Sequence, residues 1–154
     1  MESGKEAFYG GTIRLSGERV NVLKDRAGAF LDLAKELFGR GRMDLAFFHV
    51  EQACQLRIKA TILRFTGEIP RIHSIRELLS IIAKRLEEIG YSQESNMIVD
   101  FVREYRETLI DVEDAYIESK YNVSTLTKNV LSKAVDVAEM LFKLLERIEG
   151  NVLG

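Results

Sequence analysis

Proline occurs once and cysteine once in 154 residues, and tryptophan not at all. One proline excludes a Pro-rich linker protein. It also points to long uninterrupted elements, because proline inside a helix costs about 3 kcal/mol. The single cysteine, Cys54, excludes a disulfide framework and any cysteine-based zinc site. No apolar run approaches the roughly 20 residues that span a bilayer, and the N-terminus lacks the apolar core of a signal peptide. There is no glycine-rich phosphate loop, no nucleophile elbow and no zinc spacing. Neither a metal nor a cofactor is therefore expected, and no membrane partner. What remains, with 46% hydrophobic and 30% charged residues, reads as a cytoplasmic single-domain protein with enough chain for a proper core.

Charge is nearly balanced overall, at −2, but uneven along the chain. Residues 57–85 carry 7 basic groups against 2 acidic ones, and residues 86–118 carry 2 basic against 10 acidic. Such blocks are either two solvated helix faces or an anion-binding patch beside a self-complementary one.

Apolar spacing is helical from Glu18 onward. Residues 1–17 hold Gly4, Gly10, Gly11 and Gly17 without a sustained period and read as a flexible lead-in to a domain over 18–150. Leu23, Ala27, Phe30, Ala34 and Leu37 form one stripe of a first helix, ended by Gly39 and Gly41. A second helix over 43–66 carries Leu45, His49, Gln52, Leu56, Lys59 and Leu63 on one face. Phe47, Cys54, Ile58, Ile62 and Phe65 cover much of the other. Apolar on two sides, it belongs at the centre, with Leu56 and Leu63 buried. Ser74 and Glu77 form a capping box that opens a third helix over 74–89, with Ile75, Leu78, Leu79, Ile82, Leu86 and Ile89 inward. A fourth helix, capped by Ser92 or Ser95, spans about 95–120. It opposes an apolar stripe (Ile98, Phe101, Val102, Tyr105, Leu109, Val112, Tyr116) to an acidic one (Asp100, Glu104, Glu107, Asp111, Asp114, Glu118). After a break near Tyr121–Val123, a fifth over 125–149 repeats Val130, Ala134, Val137, Leu141, Leu144 and Ile148. Short loops between long helices predict an all-α, up-and-down bundle of about five helices.

Few side chains suggest chemistry. His49 and His73 are the only histidines. Arg64, Arg71, His73 and Arg76 flank the Pro70 loop and the start of the third helix, where free N–H groups and the dipole favour an anion. Alternatively, His73 bonds within its own loop. His49, Gln52 and Lys59 form either a functional polar seam or groups satisfied across the bundle. The acidic stripe carries no histidine and faces away from the core, unlike the inward Glu-x-x-His pairs of di-metal bundles. Cys54 reads as a small buried apolar residue.

Residues 46–79, AFFHVEQACQLRIKATILRFTGEIPRIHSIRELL, are more specific than their periodicity. Phe48, His49, Gln52, Ala53, Lys59, Ala60, Pro70, His73, Leu78 and Leu79 resemble the signature of the HEPN family (higher eukaryotes and prokaryotes nucleotide-binding domains). A second block, AYIESKYN at 115–122, is similar to the family's Tyr-x-x-x-Arg-Tyr-Pro segment through Tyr116, Lys120 and Tyr121. The resemblance covers about residues 20–149. It implies a HEPN-like helical bundle and a ligand or anion site drawn from Lys59, Arg64, Arg71, His73, Arg76, Lys120 and Tyr121. It further implies a non-catalytic module that binds a nucleotide or RNA, or partners a minimal nucleotidyltransferase in a toxin–antitoxin-like pair, and that forms a homodimer. The alternative is a metal-independent HEPN ribonuclease toxin with a degenerate site. Two departures weigh on these expectations. Lys120 and Asn122 replace the usual Arg and Pro, and lysine lacks the bidentate fork of arginine. Ribonuclease members carry an Arg, four to six intervening residues and then a His, late in the domain. No histidine follows His73, and the Arg42–His49 spacing falls inside the opening motif. No catalytic residue is assigned.

Overall fold

The computed structural model describes residues 2–121 and 127–154, with side chains described for 17–115 and 127–154. Among the described residues six helices follow one another: α1 (Glu2–Gly39), α2 (Met43–Thr66), α3 (Ile75–Glu88), α4 (Ser92–Glu104), α5 (Arg106–Tyr121) and α6 (Lys128–Leu153). No strand occurs among the described residues. The all-α bundle expected from periodicity is therefore present.

α2 packs against α1, α3, α5 and α6, which is the central placement its two apolar sides require. Phe47, Val50, Ala53, Cys54, Ile58 and Ile62 are buried along it. They meet Leu78, Leu79, Ile82 and Leu86 of α3, Leu109 and Val112 of α5, and Leu131, Leu141 and Leu145 of α6 in one cluster. Its C-terminus is closed by Gly67 at φ 81°, a left-handed position that disfavours any residue with a Cβ. The Gly67 N–H donates to the Leu63 carbonyl at 2.8 Å.

Four expectations need correction. The first helix starts at Glu2 and takes in residues 2–17, ahead of the start expected at Glu18. Helical glycines cost only about 1 kcal/mol each relative to alanine, which weakens a helix without forbidding it. The expected fourth helix is two helices, separated at Tyr105 (φ −107°, ψ 22°), which divides the acidic stripe between α4 and α5. Neither Ser92 nor Ser95 caps α4; Ser95 is buried and its Oγ donates to the Ala83 carbonyl at 2.7 Å, tying α4 to α3. Ile89, expected inward, is 40% exposed because α3 stops at Glu88. Thr127 caps α6 by accepting from the Val130 N–H at 3.2 Å. No helix among the described residues is long and apolar enough to cross a membrane.

Candidate functional site

A pocket of about 590 Å³ opens between α2, the start of α3 and α5. α2 supplies Glu51, Gln52, Gln55, Leu56 and Lys59. Their spacing keeps them on one helical face, turned away from the apolar residues that meet the core. The loop after Gly67 delivers His73 and Ser74, and α5 delivers Glu113 and Asp114.

A chain of hydrogen bonds fixes the α2 wall. The Glu51 carboxylate is 2% exposed and accepts from Gln52 Nε2 at 2.6 Å and from Gln55 Nε2. With its amide nitrogen so committed, Gln55 turns Oε1 towards His73, whose Nδ1–H donates to it at 3.3 Å. That bond leaves the other ring nitrogen, Nε2, free to meet a ligand. Burial pushes the Glu51 carboxyl above its ordinary value, and the Gln55 and Gln52 bonds and the charges of His73 and Lys59 offset only part of this. Lys59 moves the other way: burial lowers its ammonium, partly offset by Glu51. Among the described residues no carboxylate pairs with Lys59 at salt-bridge distance.

The α3 end of the pocket is organised around a carboxylate. Ser74 caps α3 by accepting from the Glu77 N–H at 3.3 Å, as half of the expected capping box. Glu113 then occupies the helix start. It accepts from the Arg76 backbone N–H at 2.9 Å and from Ser74 Oγ at 3.2 Å. It also takes the Arg76 side chain bidentately, Nε to Oε1 and Nη2 to Oε2, both at 3.0 Å. This bond to Glu113, weighed against slight burial and aided by nearby carboxylates, raises the Arg76 guanidinium above its ordinary value.

The expected anion cluster is thus dispersed. Lys59 and His73 line the pocket. Arg76 adjoins it but is held by Glu113. Arg71 is exposed on the loop and outside the lining. Arg64 lies elsewhere: its Nη1 reaches Glu149 Oε1 at 2.8 Å. There Glu149, with a side chain 0% exposed, also meets Lys24 Nζ at 2.9 Å and Arg57 Nη2 at 2.8 Å. Thr61 Oγ1 donates to it at 2.9 Å. Burial alone would raise this carboxyl, but the bonds from Arg64 and Lys24 and the charge and bond of Arg57 outweigh it and hold it at about 2. The side chains of Lys120 and Tyr121 fall outside the described residues.

The polar seam of α2 divides in two. Gln52 and Lys59 enter the pocket, whereas the His49 Nδ1–H donates to the Leu45 carbonyl at 2.7 Å. The His49 ring packs tilted on Phe30 at 5.6 Å and edge-on to Phe48 at 5.7 Å. Leu56, expected in the core, is half-buried and lines the pocket. Cys54 is buried, and desolvation with the Glu51 charge pushes its thiol up to about 12, so it is a packing residue and no nucleophile. The exposed acids Asp100, Glu104, Glu107, Asp111 and Asp114 form the solvated stripe read from the sequence, and only Asp114 of these lines the pocket. Burial, with Asp114 and Glu107 nearby, raises the Asp111 carboxyl. Glu51 and Gln55, missed in the sequence, lie one residue before Gln52 and one turn after Glu51, so helical spacing from Gln52 would have found both. Glu113 carries no such local signal.

A family model described as HEPN domain matches residues 20–148, most of the chain. No curated protein matches it significantly.

Proposed function

The chain belongs to the HEPN domain family, and from that premise we propose that it is a non-catalytic binding module that takes a nucleotide, free or within RNA, in the pocket between α2, α3 and α5. One observation carries this reading. Gln52 and Lys59 on α2 and His73 from the loop before α3, all within the family-like segment, line one cavity of ligand size. The cavity offers an apolar contact at Leu56, amides and a hydroxyl for hydrogen bonding, and an ammonium at Lys59 that no carboxylate of the described residues pairs. Lys59 and His73 are the ligand contacts. Arg71 stands outside as an approach charge. Arg64 and Arg76 act on carboxylates of the chain itself. Catalysis has no support in the same geometry, since His49 is bound to a backbone carbonyl and Cys54 is buried.

The test is titration of mononucleotides and short RNA against wild type, Gln52→Ala, Lys59→Ala and an Arg71→Ala, Arg76→Ala double variant, at two salt concentrations. Binding that Gln52→Ala and Lys59→Ala weaken supports the pocket. Absence of binding by wild type overturns the reading.

A second reading concerns a protein partner. An open groove between α4 and α6 sets the apolar side chains of Met97, Phe101, Tyr105, Met140 and Leu144 beside Asp100 and Glu104. We assign it to a second copy of the chain, giving a cytoplasmic homodimer that serves a minimal nucleotidyltransferase in a toxin–antitoxin-like pair. Sedimentation of wild type and Met140→Glu tests the dimer, and a pull-down with the nucleotidyltransferase tests the partner.

A further inference from the structure

We infer that Glu113 makes the pocket select the uncharged nucleoside part of its ligand over a phosphorylated end. The inference rests on the nucleotide reading above and refines it.

Helix starts and arginine forks are the ordinary means of holding phosphate. Here both are present beside the pocket, and both are already occupied. The Arg76 backbone N–H, the Ser74 hydroxyl and the Arg76 guanidinium all converge on Glu113. A phosphate entering there must displace a carboxylate that makes five hydrogen bonds to three donor groups. Elsewhere on the walls Glu51 and Asp114 set two carboxylates against Lys59 and the His73 ring, whose Nδ1–H is given to Gln55. Like charge facing like charge across a partly enclosed site is a selective penalty rather than a weak attraction. An uncharged ring with a polar edge meets no such penalty. It can lie on Leu56 and meet Gln52 Oε1, Lys59 Nζ and the free His73 nitrogen.

Glu113 is thus a specificity-determining residue that works by occupying the anion-holding groups. Asp114, exposed on the next position of α5, adds to the repulsion without touching the α3 cap.

The experiment measures affinity for adenosine, guanosine, cytidine and uridine, and for their 5′-monophosphates, by calorimetry on wild type, Glu113→Gln and Asp114→Asn. Short RNAs with and without a 5′-phosphate are titrated in parallel. Far-UV circular dichroism checks that each variant is folded. In wild type, each nucleoside that binds should do so about tenfold more tightly than its monophosphate. Glu113→Gln should raise monophosphate affinity severalfold relative to nucleoside affinity. Asp114→Asn should shift the ratio the same way by less, and it remains informative if Glu113→Gln does not fold. Monophosphates binding more tightly than nucleosides to wild type, or a ratio unmoved in the folded variants, overturns the inference while the nucleotide reading stands. Binding of no nucleoside, nucleotide or RNA removes both.

Discussion

The ion network at Glu149 allows the sharpest quantitative test of how α1, α2 and α6 are held together. Its side chain is 0% exposed, and that of Arg57 is 3% exposed. Glu146, which also meets Arg57 and Lys24, is 66% exposed and adds little, since exposed pairs contribute about 0–1 kcal/mol. The perturbation is Glu149→Gln, which keeps the shape and removes the charge. Arg57 is then left buried without its main counter-charge, a loss of about 3–5 kcal/mol. Titration gives a second estimate. A carboxyl held at about 2 instead of 4.5 contributes about 3 kcal/mol, at roughly 1.4 kcal/mol per pH unit. Because the folded value is the lower one, this stabilisation is complete above the unfolded value. It disappears as pH falls from about 4.5 to about 2. Urea denaturation followed by circular dichroism across that range should therefore show two curves that converge on acidification. Wild type is more stable by about 3 kcal/mol at neutral pH, with m unchanged, and the difference shrinks through the window. For a chain of this length the gap corresponds to about 6–12 °C in Tm. The double variant Arg57→Met, Glu149→Leu should recover most of the loss, because replacing both buried charges removes the stranded one. A neutral-pH loss below about 1 kcal/mol, or a difference that does not shrink on acidification, would refute this account of the network.

Leu63→Ala should cost about 2–5 kcal/mol, the range for a buried leucine, whereas Leu56→Ala, at the pocket wall, should cost clearly less; chemical denaturation separates them, and equal losses would mean Leu56 is core. Burial holds the Glu51 carboxyl above its unfolded value, so its contribution to stability is present at low pH and lost as pH rises through the folded value. Glu51→Gln should then match wild type in acid and gain on it in base, and a gain of equal size at both extremes would contradict that sign. Mixed-sequence RNA incubated without metal should stay intact with wild type and with His49→Ala alike; cleavage abolished by His49→Ala would revive the Arg42–His49 pair.

The helices were legible because their information is local. Phe47, Cys54, Ile58 and Ile62 repeat at helical spacing on α2, and all four are buried, so both the element and its central place follow from pattern. Errors arose where local pattern and packing part company. The apolar stripe from Ile98 to Val112 runs through Tyr105 without losing its period, so nothing in hydrophobicity marks the division into α4 and α5. Leu56 shares a face with Leu63 by count. It meets solvent because α2 has a pocket, not a neighbouring helix, beside that turn.

The site was half legible for the same reason. Gln52 and Lys59 are seven residues apart, two turns of one helix, so their common wall is a local fact. His73 joins them through the Pro70 loop and a bond to Gln55, eighteen residues away. Arg76 shows what pattern cannot reach. Beside a capping serine at a helix start, its sequence neighbourhood is that of an anion site, and the structure does place a carboxylate there. The carboxylate belongs to Glu113, thirty-seven positions on, in an acidic run whose solvent-facing members look the same. A charge in sequence advertises attraction; only the fold decides whether the attraction is already satisfied. Arg64, drawn to Glu149 at a separation of 85, makes the same point from the opposite side of α2. Basic residues counted as one patch are here two separate neutralisations. Of the expected site residues whose side chains are described, Lys59, His73 and the exposed Arg71 remain without a carboxylate partner, and the proposed preference for an uncharged nucleoside rests on that small remainder.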